Sequence, residues 1–246
     1  MGGLVTSLGV GEGPDEQTLR VAYDELLSLY DGQRHVRVGH QNAERLFFLH
    51  GLIAHAVAQG RAASALLGDA RLATCAEVNA RVAFEHALTA QYVHLRPSGL
   101  AEFQQLIRYR EYRFQKAVRR LPNFALPDDV EEIEFARKPD MNNFYWLCEQ
   151  FDESGWLYLP YRVLCNSTHP SNSTLDTYLS EVEGAVPELR MEGVVDDTRP
   201  IVWAITFSTL MALAVLEDIR RSKPNKAKVR RIASLIQAPP LLTLRA

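Results

Sequence analysis

Apolar side chains recur at positions 19, 22, 23, 26, 27 and 30 after Pro14-Asp15, the i, i+3, i+4, i+7 spacing of a helix with one buried face, and Gly32 stops it. A second run, 42–67, is rich in Ala and Leu and apolar on more than one side, which predicts a central helix broken by Gly68-Asp69. Residues 72–95, where small side chains permit close helix contact, and 100–120 predict two more, separated by Pro97-Ser98-Gly99. Pro122 and Pro127 mark a connection. Asp128, Asp129, Glu131 and Glu132 then favour a fresh helix start, because carboxylates complement the positive end of the helix dipole. After an aromatic-rich stretch, 141–159, Pro160 suits the first turn of a helix that Pro170 ends. A short helix over 171–182, a loop over 183–199, and helices over 200–221 and 226–237 complete a count of eight or nine. Outside 36–40 no strand-like alternation is expected, so the fold class is all-α, a multi-helix bundle.

Length and composition set the scale. The 246 residues, 47% hydrophobic, are enough for one large domain with a substantial core. The expected organisation is a flexible N-terminus over 1–14, a single helical domain over 15–240, and a basic C-terminal helix and tail over 221–246. The longest apolar run, Ile201 to Leu216, falls short of the roughly 20 residues that cross a bilayer and reads as a buried helix, so no membrane partner is expected. Cys75, Cys148 and Cys165 are odd in number and far apart, which fits reduced thiols and a cytoplasmic location. His50 and His55 lie about 140° apart around a helix, and no HExxH, P-loop, GxGxxG or GxSxG pattern occurs. No metal site and no cofactor are expected.

The stretch Tyr161-Arg162-Val163-Leu164-Cys165-Asn166-Ser167-Thr168-His169-Pro170 carries the candidate chemistry. Seven helical steps bring His169 to within about 20° of Arg162, about 10.5 Å further along the axis, and Asn166 falls between them. The three make one polar stripe on an otherwise apolar helix. A neutral imidazole can take a proton from a ribose 2′-hydroxyl, while a guanidinium forks two hydrogen bonds onto a phosphate gaining charge. Because the two groups are far apart along one helix, two facing copies meet a single phosphate more easily than one does. The competing reading has Arg162 pairing with a core carboxylate and His169 favoured by the C-terminal dipole, worth about 0.3–1 kcal/mol.

Arg-x6-His on a late helix of an all-helical chain resembles the Arg-x4-6-His signature of the HEPN superfamily, and Arg81-x3-Glu85 upstream with Tyr161 beside the arginine looks like one of its uncharacterised branches. The similarity spans about residues 40–220, with extra N- and C-terminal helices. It implies a metal-independent endoribonuclease, of the toxin or phage-defence type, acting as a homodimer, with an antitoxin or other protein as a possible partner. In that reading Arg162 and His169 are catalytic, Asn166 orients, and Glu85, Arg81 and Tyr161 support. Many active members carry a polar residue after the arginine, where Val163 stands here. The alternative is a non-catalytic helical module that keeps the fold and binds RNA or a protein.

The formal net charge of -3 leaves RNA contact to local patches. Two basic runs qualify. Arg108, Arg110, Arg113, Lys116, Arg119 and Arg120 are interleaved with Tyr109, Tyr112 and Phe114 and read most simply as a solvated face. Arg220, Arg221, Lys223, Lys226, Lys228, Arg230 and Arg231 contain no acid and are the expected RNA-binding set.

Overall fold

The computed structural model describes residues 13–33, 43–69, 71–124, 126–127, 130, 133–166, 172–180, 188–190, 192–195, 197–220 and 222–245. The fold is all-α, as the periodicity implies. Its helices are α1 (Glu16–Asp31), α2 (Ala43–Leu67), α3 (Ala73–Leu95), α4 (Gly99–Val118), α5 (Phe144–Glu149), α6 (Tyr158–Asn166), α7 (Asn172–Asp176), α8 (Arg199–Ile219) and α9 (Lys226–Leu235). A 3-10 turn at Asp140–Asn142 precedes α5.

Helices α1, α2, α3 and α8 form the central bundle. The face of α1 marked by the apolar spacing is the one buried, through Leu19, Ala22, Tyr23 and Leu26, and Asp15 caps its start by accepting from the Thr18 amide at 2.7 Å. Helix α8 is covered by α1, α2 and α3, and 89% of its most apolar window is buried. Its buried hydroxyls are satisfied within the helix: Thr206, Ser208 and Thr209 donate to the carbonyls of Val202, Ala204 and Ile205 at 2.7, 2.6 and 2.8 Å. Gly60 lets α2 come close to its neighbours, since a Cβ there would lie 3.1 Å from the Tyr23 hydroxyl and 3.5 Å from Thr209 Oγ1.

Gln91, fully buried on α3, donates to the carbonyls of Met211 and Pro240 and accepts from the Leu242 amide, which fastens the C-terminal tail to the bundle. Helix α9 likewise buries Val229, Ile232 and Ala233 against the main core.

Three expectations need correction. Residues 133–139 are not helical; there Phe135 turns onto Tyr109 and Tyr112, with ring centroids 5.6 and 5.9 Å apart, and this long-range contact outweighs the local helix-start signal. Among the described residues the helix expected over 171–182 is limited to α7, and Leu179–Ser180 pairs antiparallel with Glu188–Leu189 as a two-residue ladder. Strand pairing therefore exists outside 36–40, a stretch that lies outside the described residues.

Candidate functional site at the α3 and α6 junction

Helix α6 is anchored by its apolar side. Leu164 is 2% exposed and packs with Ala76 and Ala80 of α3 and Ile201 and Ala204 of α8. Pro160 sits in its first turn, as expected. Tyr161 stacks on Phe144 of α5 at 4.2 Å, and Phe144 in turn meets the buried Phe84 edge-on at 6.0 Å.

Beneath this helix lies the pair that the sequence singled out. Arg81 Nε donates to Glu85 Oε1 at 2.9 Å, both half-buried, and the Arg81 guanidinium stands 5.3 Å from the Tyr161 ring. Arg81, Glu85 and Tyr161 are thus brought together. Burial raises the Tyr161 pKa, and the Glu85 charge and the Cys165 thiol push it further the same way, so the phenol stays protonated. For Arg81 burial opposes the charge, but the hydrogen bond and charge of Glu85 outweigh it and the group is held above its ordinary value.

Arg162 is exposed, with its guanidinium 6.0 Å from the Tyr158 ring. Among the described residues no carboxylate forms an ion pair with it, in contrast to Arg81. Asn166 is the last residue of α6. His169 lies outside the described residues.

Glu77, one helical turn before Arg81, was not anticipated. Burial pushes its carboxyl up to about 7, from an ordinary value of 4.5. A carboxyl whose folded pKa is raised binds its proton more tightly folded than unfolded, so its stabilisation is complete below about 4.5 and is lost as pH climbs through about 7. The melting temperature of the wild type is expected to fall relative to Glu77→Gln between pH 4.5 and 7. Parallel curves over that range would show that Glu77 ionises as an ordinary surface carboxyl.

Part of the second basic run is paired with acids. Arg220 donates to Glu217 at 2.7 Å, Lys223 to Asp218 at 2.6 Å, and Arg231 pairs with Glu25 of α1. Lys226, Lys228 and Arg230 remain exposed, and Arg221 lies outside the described residues. The acids absent from the run locally arrive from α1 and the end of α8. On α4 and the turn after it, by contrast, Arg108, Arg110, Arg113, Lys116 and Arg120 are exposed and make no ion pair among the described residues.

Among the described residues no group of three or more His, Cys, Asp or Glu side chains could hold a metal ion. The structure does bring together His55 and His86, with rings 4.5 Å apart, in an open apolar hollow of about 800 Å³ that Phe47, Phe48 and Phe103 also line. The His86 pKa is lowered by burial. Cys148 is buried, with its thiol pushed up to about 12, and Cys75 is exposed. No protein-family model, curated protein or solved structure matches the chain.

Proposed function

We propose that this protein is a HEPN-like, metal-independent endoribonuclease that works as a homodimer. The imidazole of His169 removes the proton from a ribose 2′-hydroxyl, and the 2′-oxygen forms a bond to the adjacent phosphorus. The bond from phosphorus to the 5′-oxygen breaks, and that oxygen takes up a proton. The products are a 2′,3′-cyclic phosphate and a free 5′-hydroxyl. Arg162 forks onto the phosphate as it gains charge, and Asn166 orients the strand. Tyr161, with the Arg81 and Glu85 pair behind it, holds α6 in position. The need for a 2′-hydroxyl restricts the reaction to RNA.

The observation that carries this reading is Arg162: a guanidinium on the open side of α6 with no carboxylate partner among the described residues, while the arginine behind that helix is paired. A charge without an internal counterion is suited to a ligand's phosphate. A second reading, a binding module without catalysis, is favoured by Val163, a half-buried apolar residue directly after the arginine.

Incubating the protein with single-stranded RNA in EDTA separates the two. Cleavage with cyclic-phosphate ends is expected, slowed about 10²–10³-fold in Arg162→Ala, the cost of one donor to developing charge. His169→Ala should lose about 10²–10⁴-fold, the range for a general base. Equal cleavage by wild type and His169→Ala would exclude the mechanism. RNA binding without any cleavage would favour the module.

A further inference from the structure

Three neighbouring hollows of about 680, 440 and 470 Å³ share lining residues along the exposed side of α4. Phe135 lines all three; Tyr112, Lys116 and Arg120 line the first two, and Arg137 and Lys138 the last two. One wall is a stripe of α4 and the turn after it, where Tyr109, Tyr112, Arg113, Lys116 and Arg120 recur at helical spacing on a single face. The other is the non-helical segment 133–138. Glu134 borders the first hollow, and Glu102 and Asp140 the third, but among the described residues no carboxylate lines the middle one. Two cations sit beside aromatic rings: Lys116 Nζ donates to the Tyr112 hydroxyl at 3.2 Å and lies 5.5 Å from its ring, and Arg113 donates to the Tyr109 hydroxyl at 3.5 Å.

We infer that this groove binds a single strand of RNA, with phosphates along Arg113, Lys116, Arg120 and Lys138 and bases against Tyr112 and Phe135. A cationic track beside aromatic faces is the combination that single-stranded nucleic acid uses, because every base has a face to stack. A polyanion alone would need no rings, and a duplex keeps its base faces stacked inside itself. Trp146 at the far end belongs to α5, the helix that stacks Phe144 on Tyr161 beside Arg162. The inference rests on RNA as the ligand of the proposed function but not on cleavage.

The test is therefore made with an RNA that cannot be cut: a fluorescent 2′-O-methyl 12-mer, followed by anisotropy across a salt series. Lys116→Gln with Arg120→Gln, both exposed and safe for folding, is expected to weaken binding and to flatten the log–log salt slope by about 1.4, two phosphates at about 0.7 each. Tyr112→Ala should weaken binding about tenfold and Tyr112→Phe should restore it, because the ring rather than the hydroxyl does the stacking. Lys226→Gln with Lys228→Gln on α9 should leave affinity and slope unchanged. The inference is overturned if the α4 variants bind like wild type, if the α9 pair carries the loss instead, or if a duplex binds as tightly as the single strand. It is also overturned if Tyr112→Ala has no effect while the cation variants do, the result expected of a patch for an acidic protein. Loss of cleavage in unmodified RNA with this binding intact would reject the nuclease reading and leave the groove.

Discussion

Phe207→Ala is expected to lower the free energy of unfolding by about 3–5 kcal/mol, the range for emptying a buried aromatic site. Phe207 is fully buried on α8, with ring centroids 5.0 Å from Trp203, 5.9 Å from Trp156 and 6.2 Å from Phe84. It is the place where α8, α3 and the segment before α6 meet, and large rigid rings close poorly over a void. For a chain of this size the loss corresponds to a fall of about 10 °C in melting temperature. Urea unfolding should show a lower midpoint with an unchanged slope. A loss below about 1 kcal/mol would mean that these rings do not form a close-packed centre. Phe207→Leu, which keeps most of the volume, should cost much less.

Glu217→Ala is expected to cost a similar amount, about 3–5 kcal/mol, for a different reason. The Glu217 side chain is 3% exposed and that of Arg220 12%, and their contact is 2.7 Å. Glu217 also accepts from the Asn225 amide at 2.8 Å and from its side chain at 3.3 Å, so one carboxylate organises the turn from α8 to α9. That turn contains Lys223 at φ 44, a left-handed conformation that a non-glycine residue holds only when its surroundings enforce it. Removing the carboxylate strands the Arg220 charge in a nearly buried place and releases the turn. Chemical denaturation should show Glu217→Gln intermediate, since it keeps the acceptor and loses the charge. Glu217→Leu combined with Arg220→Leu should recover much of the loss, because an apolar pair leaves no charge unpaired. If the double variant is no better than Glu217→Ala, the loss comes from the turn and not from the stranded charge.

The long helices were legible because each signal is local. The spacing of Leu19, Ala22, Tyr23 and Leu26 names the buried face of α1 without reference to any other element. The Arg81 and Glu85 pair was legible for the same reason, being four residues apart on one helix. Segment 133–139 was misjudged because its acidic lead-in favours a helix locally, whereas Phe135 is claimed by two tyrosines more than twenty residues earlier. Nothing in the spacing of His55 and His86 announces that their rings meet.

The charged surface divides along the same line. Amino-acid order alone determined that the chain is helical and that the long apolar run of α8 needs cover. Which cations are free was decided only in three dimensions. Arg231 finds Glu25 across 206 residues and Lys223 finds Asp218 around a turn, while Arg113, Lys116 and Arg120, which read as ordinary surface, border a groove with aromatic rings in its lining. Periodicity reports the face a side chain occupies. Its electrostatic partner is set by packing between distant segments, and no local pattern reports it.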